Sequence, residues 1–286
     1  MTATLRPVDP SHWANLVMRG SAAALRRYHR HTIHGLEHLT AARATGRPVV
    51  LVGNHCLDLV DPLMLTVGIY GETGCLLRFI AHGNLFFTIP GLRTLAPVWG
   101  LIPNRHLELA DAALRDEGAL MLYPGSGTEA ILRSYRREPY CLKWDGKHGF
   151  VQLAARHRAT ILFVAGIGID EMYYQTDLPM PVSAIGYANA GDAGYYQGAR
   201  MQIGAAGLHV LPGVLPLPVR ITHVISPPLT LDPELDPDDA GGVAHAQIRL
   251  WAEAQTFLDA AVAARTSDPL DRGLRGAMRW LQRLGV

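Results

Sequence analysis

Three short apolar runs, each separated from the next by a helical pattern, constrain the fold of this chain more than any other feature. Residues 48–53 read P-V-V-L-V-G and lead through a loop to Pro62 and an apolar helical stretch at 63–69. Residues 119–123 form the second run, preceded by a helical pattern over 107–116 and stopped by Pro124 and Gly125. The third, 160–169, comes after a helical pattern over 149–157. Strands this continuously apolar are buried on both faces, as in a mostly parallel sheet flanked by helices on both sides. The pattern therefore predicts an α/β fold whose ligand binds beyond the carboxyl ends of the strands, with the loops after Gly53 and Tyr123 on one rim.

A strand-like run at 219–225, set among recurring prolines, and a helical pattern at 244–264 extend this core. At the N-terminal end, Trp13, Leu16, Val17, Ala24 and Leu25 fall near helical spacing, with Arg19, Arg26 and Arg27 elsewhere on the wheel. Near the other end, Leu270, Leu274, Trp280, Leu281 and Leu284 alternate with Arg272, Arg275, Arg279 and Arg283. Such helices either pack on a core as ordinary surface helices or lie in a membrane interface, apolar stripe in the acyl boundary and cations at the headgroups. The organisation expected is an N-terminal amphipathic helix (1–30), an α/β core (31–230) and C-terminal helices (231–286).

Charged residues are 18% of the 286, below the roughly 25% usual for soluble domains, which points to an apolar ligand or a membrane surface. With 26 Lys plus Arg against 25 Asp plus Glu, the net charge of +1 supplies no field for nucleic acid. Cys56, Cys75 and Cys141 are too widely spaced for a disulfide framework or a thiolate zinc site, so a reducing, cytoplasmic setting is expected. No secretory leader is expected, since Arg6, Asp9, His12 and Asn15 interrupt the first stretch, and no spanning helix is expected, since the most apolar long window, 201–221, is broken by His209, Pro212, Pro216 and Pro218. Membrane contact, if any, is then peripheral, at the inner face. His29, His31, His34 and His38 are crowded but lack suitable companions, and no metal is expected.

The chemistry concentrates in Gly53-Asn54-His55-Cys56-Leu57-Asp58-Leu59-Val60-Asp61-Pro62. A histidine just past a buried strand, with a carboxylate at the entry to the next helix, suits a general base with an orienting partner for activating a hydroxyl. Asp61 is the expected partner and Asp58 its competitor. Two plainer roles compete: Asp61 as the N-cap of a helix with proline at its first position, and His55 as a donor to loop carbonyls. Backbone N–H groups near Gly125, Ser126 and Gly127 suit an oxyanion, since glycines let the backbone approach closely.

The stretch G-N-H-C-L-D-L-V-D-P resembles the His-Asp motif of the glycerolipid acyltransferases, which include lysophosphatidic acid and monoacylglycerol acyltransferase-like enzymes. Residues 33–39 resemble the strand before that motif. Phe87-Thr88-Ile89-Pro90-Gly91 and Gly100-Leu101-Ile102-Pro103-Asn104-Arg105 resemble its second block. Tyr123-Pro124-Gly125-Ser126-Gly127-Thr128-Glu129-Ala130 is similar to the third block of the monoacylglycerol acyltransferase-like branch, and residues 142–154 resemble the stretch that comes after that block. The likeness spans roughly residues 33–264. It implies transfer of a long-chain acyl group from acyl-CoA or acyl-ACP, as co-substrate and with no cofactor, to the hydroxyl of a glycerolipid-like acceptor. His55 and Asp61 are then catalytic, and Asn54, Arg105, Gly125, Ser126, Gly127 and Glu129 bind substrate. Five residues rather than the commoner four separate His55 from Asp61, and Thr128 stands where the third block usually has arginine. A phosphate-bearing acceptor is thereby disfavoured, although Arg105 matches the second block and Arg133, Arg136 and Arg137 come after the third. An acyl thioesterase and a non-catalytic lipid-binding protein on the same fold are the alternatives.

Overall fold

The computed structural model describes residues 5–56, 59–87, 90–104, 106–180, 199–209 and 215–283. Helix α1 (Trp13–Tyr28) leads into β1 (Thr32–His34), α2 (Leu36–Ala44), β2 (Val49–Gly53) and α3 (Val60–Thr73). Next come β3 (Arg78–Ala81), two single-turn helices α4 (Gly83–Phe86) and α5 (Leu92–Leu95), β4 (Leu101–Pro103), α6 (Leu107–Asp116) and β5 (Ala119–Leu122). A π-turn (Thr128–Leu132) precedes α7 (Gly149–Arg156), β6 (Thr160–Ile167), a 3₁₀ turn (Ile169–Glu171) and β7 (Tyr174–Pro179). The chain closes with β8 (Arg200–Gly204), β9 (Gly207–His209), β10 (Thr222–Pro228), α8 (Ala240–Ala263) and α9 (Pro269–Arg283).

Seven strands form the main sheet in the order β1-β10-β6-β2-β5-β3-β4. Every neighbouring pair is parallel except β10 against β6. The period-2 geometry of a strand explains the apolar continuity of β2: Val49 and Leu51 face one layer, with Leu39 of α2 and Leu65 and Ile69 of α3. Val50 and Val52 face the other, with Leu114 of α6, Phe150 and Val151 of α7 and Leu250 and Ala254 of α8. The mixed α/β architecture with a mostly parallel sheet between helical layers is the one expected, and His55 leaves the carboxyl end of a central strand.

Three elements differ from the sequence pattern. Strands β7, β8 and β9 form a separate antiparallel sheet, which no alternation in the sequence announces. Strand β10 begins at Thr222, later than the pattern suggests, because it pairs with β6 only from Ile167 onward. Helix α3 starts at Val60 with Leu59 as its N-cap. Asp61 and Pro62 therefore lie inside the first turn, where proline's missing N–H costs nothing, and Asp61 is not the cap.

The terminal helices carry exposed apolar side chains. Helix α1 buries Ala14, Asn15 and Ala22, while Trp13, Leu16 and Val17 are exposed. On α9, Leu274 and Met278 pack against the core, whereas Leu270 and Trp280 are exposed. Among the described residues no helix is long and apolar enough to cross a membrane.

Candidate active site

The rim of the sheet is built by pinning the loop after β2 on both sides. Asn54 is buried and spent on structure: its Nδ2 donates to the Gly166 carbonyl (2.9 Å) and its Oδ1 accepts the Gly166 N–H (2.7 Å). This ties the ends of β2 and β6 together and engages both polar atoms of the Asn54 side chain with backbone. The next residue, His55, donates its backbone N–H to Glu129 Oε1 (2.6 Å) and stacks its ring on Tyr123, with centroids 4.5 Å apart and planes at 24°. Gly53 makes room for that tyrosine, since a Cβ there would lie 2.8 Å from its Cε1.

Burial pushes the His55 imidazole down to about 4, against the opposing influence of Asp61, so the ring is a neutral base at ordinary pH. Its Nδ1 is buried without a hydrogen-bond partner. Asp61 is itself buried, at 1% exposure. Its Oδ2 accepts from the Tyr123 hydroxyl (2.6 Å) and its Oδ1 from His223 Nε2 (2.6 Å). Among the described residues no hydrogen bond joins His55 Nδ1 to Asp61, whose oxygens each accept from another side chain, and Asp61 acts on the imidazole through space. Burial, reinforced by Asp61, holds the Tyr123 phenol well above its ordinary range, so it remains a neutral donor. Asp58, the competing partner, lies outside the described residues.

The turn after β5 closes the site from the other side. Glu129 is fully buried and folds back over Gly125, where a Cβ would fall 2.1 Å from its Oε2. Besides the His55 N–H it accepts the Lys143 N–H (3.0 Å). Burial raises its carboxyl to about 7 despite the nearby Arg133. Arg133 in turn grips Asp170 with two bonds of 2.6 and 2.7 Å and donates to the His55 carbonyl (3.3 Å). Glu129 and Gly125 thus brace the turn, and neither lines the adjoining cavity. Ser126, at a φ of +48°, and Gly127 do line the adjoining cavity.

That cavity has a volume of about 470 Å³, inside the roughly 300–1,000 Å³ span of small-molecule sites. Its walls are mostly apolar, with Leu59, Phe79, Ile80, Phe86, Leu122, Ile131, Phe150 and Met180. The polar lining comprises His55, Ser126, His82, Asn104, Lys147 and His148. Arg105 lies outside the described residues. Arg133 does not line the cavity, and Arg136 bonds Asp177 at 3.2 Å. Sequence reasoning missed Tyr123, His223, Lys147 and His148; a histidine inside the apolar run R-I-T-H-V-I was the signal available for His223.

A neutral imidazole near a buried carboxylate, at the carboxyl rim of a parallel sheet and on the wall of an apolar cavity, is an arrangement able to accept a proton beside an apolar ligand. Residues 30–166 match the family Acyltransferase, in agreement with the glycerolipid acyltransferase motifs that the sequence resembles. It is also similar to phytyl ester synthase 1, chloroplastic, of Arabidopsis thaliana, with 29% identity over 130 residues. The matched stretch covers 44% of this chain and 18% of that protein.

Proposed function

We propose that this protein transfers a long-chain acyl group from an acyl thioester, on coenzyme A or acyl-carrier protein, to the hydroxyl of a neutral lipid-like alcohol. The observation that carries the reading is His55: a ring held neutral by burial, on the wall of an apolar cavity, with a buried carboxylate acting on it. In this mechanism His55 takes the hydroxyl proton as the oxygen attacks the thioester carbonyl. The thiolate leaves with a proton returned by the imidazolium, and no covalent enzyme intermediate is needed. Asp61 stabilises the imidazolium, its remaining lone pairs complementing the His55 Nδ1–H as positive charge develops; such contacts tighten only in the reacting complex. Backbone N–H groups near Ser126 and Gly127 meet the oxyanion.

A neutral acceptor is favoured by the charges. Among the described residues lining the cavity, Lys147 alone carries a fixed positive charge, Arg133 is consumed by Asp170, and Thr128 stands at the usual arginine position. The relative's name, a phytyl ester synthase, points the same way, to a long-chain alcohol. The exposed Trp13, Leu16 and Val17 of α1 and Trp280 of α9, flanked by arginines, supply the peripheral membrane contact from which such an alcohol is drawn. The test is an acceptor screen with palmitoyl-coenzyme A and palmitoyl-carrier protein against a fatty alcohol, a monoacylglycerol and lysophosphatidate. Ester formation on the neutral alcohols is expected. Preference for lysophosphatidate overturns the acceptor, and release of free acid regardless of acceptor makes the protein a thioesterase.

A further inference from the structure

Behind Asp61 runs a chain of buried side chains that begins at the surface and that the acyl-transfer steps do not use. Glu72 accepts from Arg26 (2.7 Å), Arg26 Nε meets His31 Nδ1 (3.1 Å), His31 Nε2 meets His223 Nδ1 (2.7 Å), and His223 Nε2 meets Asp61 Oδ1 (2.6 Å). His31 and His223 are 8% and 1% exposed, so water does not compete for these bonds.

One end of the chain dictates every proton in it. Arginine has only donors, so His31 Nδ1 is the acceptor of the first bond. A ring accepting at Nδ1 carries its proton on Nε2, so His31 donates to His223 Nδ1. His223 must then accept at Nδ1 and hold its single proton on Nε2, which it donates to Asp61. With its Nδ1 lone pair committed, His223 has nowhere to put a second proton. A histidine touching a buried carboxylate would otherwise become an imidazolium and cancel that carboxylate's charge.

We infer that Arg26, His31 and His223 form a positioning relay that keeps His223 a neutral donor, so that the Asp61 charge stays uncompensated and available to the His55 imidazolium formed during acyl transfer. His31 and His223 do not touch substrate; they act through Asp61. The inference rests on the proposed role of His55 and Asp61. The groups facing the relay are Arg26 and His29 from the α1 end, Glu72 behind Arg26, and Asp61 and Tyr123 at its inner terminus. Those facing His55 are Asp61, Arg133 and, at its backbone, Glu129.

Arg26 is the place to cut the relay, because its side chain is 28% exposed and its loss leaves no cavity in the core. In Arg26→Met the His31 tautomer is released, and the His223 Nδ1 lone pair becomes free to take a second proton. The expected result is a new partial step in kcat, about tenfold, on acidification, absent from the wild type and with KM unchanged, roughly the loss of one charge-assisted interaction in the transition state. Arg26→Lys, which keeps a donor, restores part of the rate. In Asp61→Asn the same cut produces no step, since no charge remains to be cancelled.

Imidazole ¹⁵N spectra of the full chain supply a readout independent of turnover: His31 and His223 are expected as neutral Nε2–H tautomers, and Arg26→Met converts His223 to the doubly protonated form on acidification. A wild-type rate profile and unchanged spectra in Arg26→Met overturn the relay, as does an Nδ1–H tautomer at either ring. An active His55→Ala protein instead overturns the proposed function, while the spectra still decide the relay.

Discussion

Asp61 and Glu129 are equally buried carboxylates on either side of His55, yet they take hold of different parts of it. Glu129 accepts two backbone amides, from His55 and Lys143, and so joins the loop after β2, the turn after β5 and the segment leading to α7. Among the described residues Asp61 accepts only from side chains, Tyr123 and His223, and its effect falls on the His55 ring. Backbone donors make a carboxylate a strut between segments, whereas neutral side-chain donors leave it a directed charge. What donates to an acid, more than how deeply it is buried, decides whether it braces the fold or serves the chemistry.

The comparison breaks first at the residue between the two acids. His55→Ala is expected to lower acyl transfer by about 10²- to 10⁴-fold, the contribution of a general base, with the unfolding transition little changed. A variant that transfers acyl groups at the normal rate removes the base and the meaning of Asp61 with it.

On the strut side, Arg133→Met leaves Asp170 as an unpaired buried charge and releases the His55 carbonyl. A loss of about 3–5 kcal/mol in a denaturant titration is expected. Wild-type stability in that variant sinks the scaffold assignment.

A third test uses pH. Glu129 is raised in the folded protein from 4.5 to about 7, so the native state binds its proton more tightly than the unfolded chain. Its contribution is full below pH 4.5 and is lost as pH rises through 7, on the order of 3 kcal/mol in all. The lowered His29 and His55, both to about 4, act oppositely, costing stability as pH falls from 6.5 toward 4. Thermal unfolding is therefore expected to pass through a maximum between these limits, and Glu129→Gln to flatten its alkaline side alone. An unchanged alkaline slope in Glu129→Gln rules out the raised carboxyl.

The smallest effect sharpens the contrast most. The acid limb of kcat/KM is expected near pH 4, set by His55. Asp61→Asn, which removes the charge that raises this ring, moves the limb further into acid, while Glu129→Gln leaves it in place. Equal shifts in both variants erase the distinction between strut and charge.

Much of the frame is legible along the chain because its cause is local. Strands β2, β5 and β6 announce themselves as unbroken apolar runs because both faces are covered, and α6 and α7 fall within one residue of their amphipathic patterns. His55 just past the end of β2 and Asp61 in the first turn of α3 are close in sequence, so the influence of that carboxylate on the ring arises locally. The β7-β8-β9 sheet is not legible, since its strands carry no clean alternation and are held by one another.

Tertiary structure alone decides what each polar residue does. Nothing near Asn54, Gly125 or Glu129 in sequence reveals which groups they meet; their partners are Gly166, the returning side chain of Glu129 itself, and the amides of His55 and Lys143. Asp61 receives one donor from 62 residues away and another from 162. Sequence determines which residues are buried and which chemistry is available, because hydrophobic periodicity and side-chain type are local properties. Which donor meets which acceptor depends on the order of strands in the sheet, and the charge on a buried group is set by that meeting.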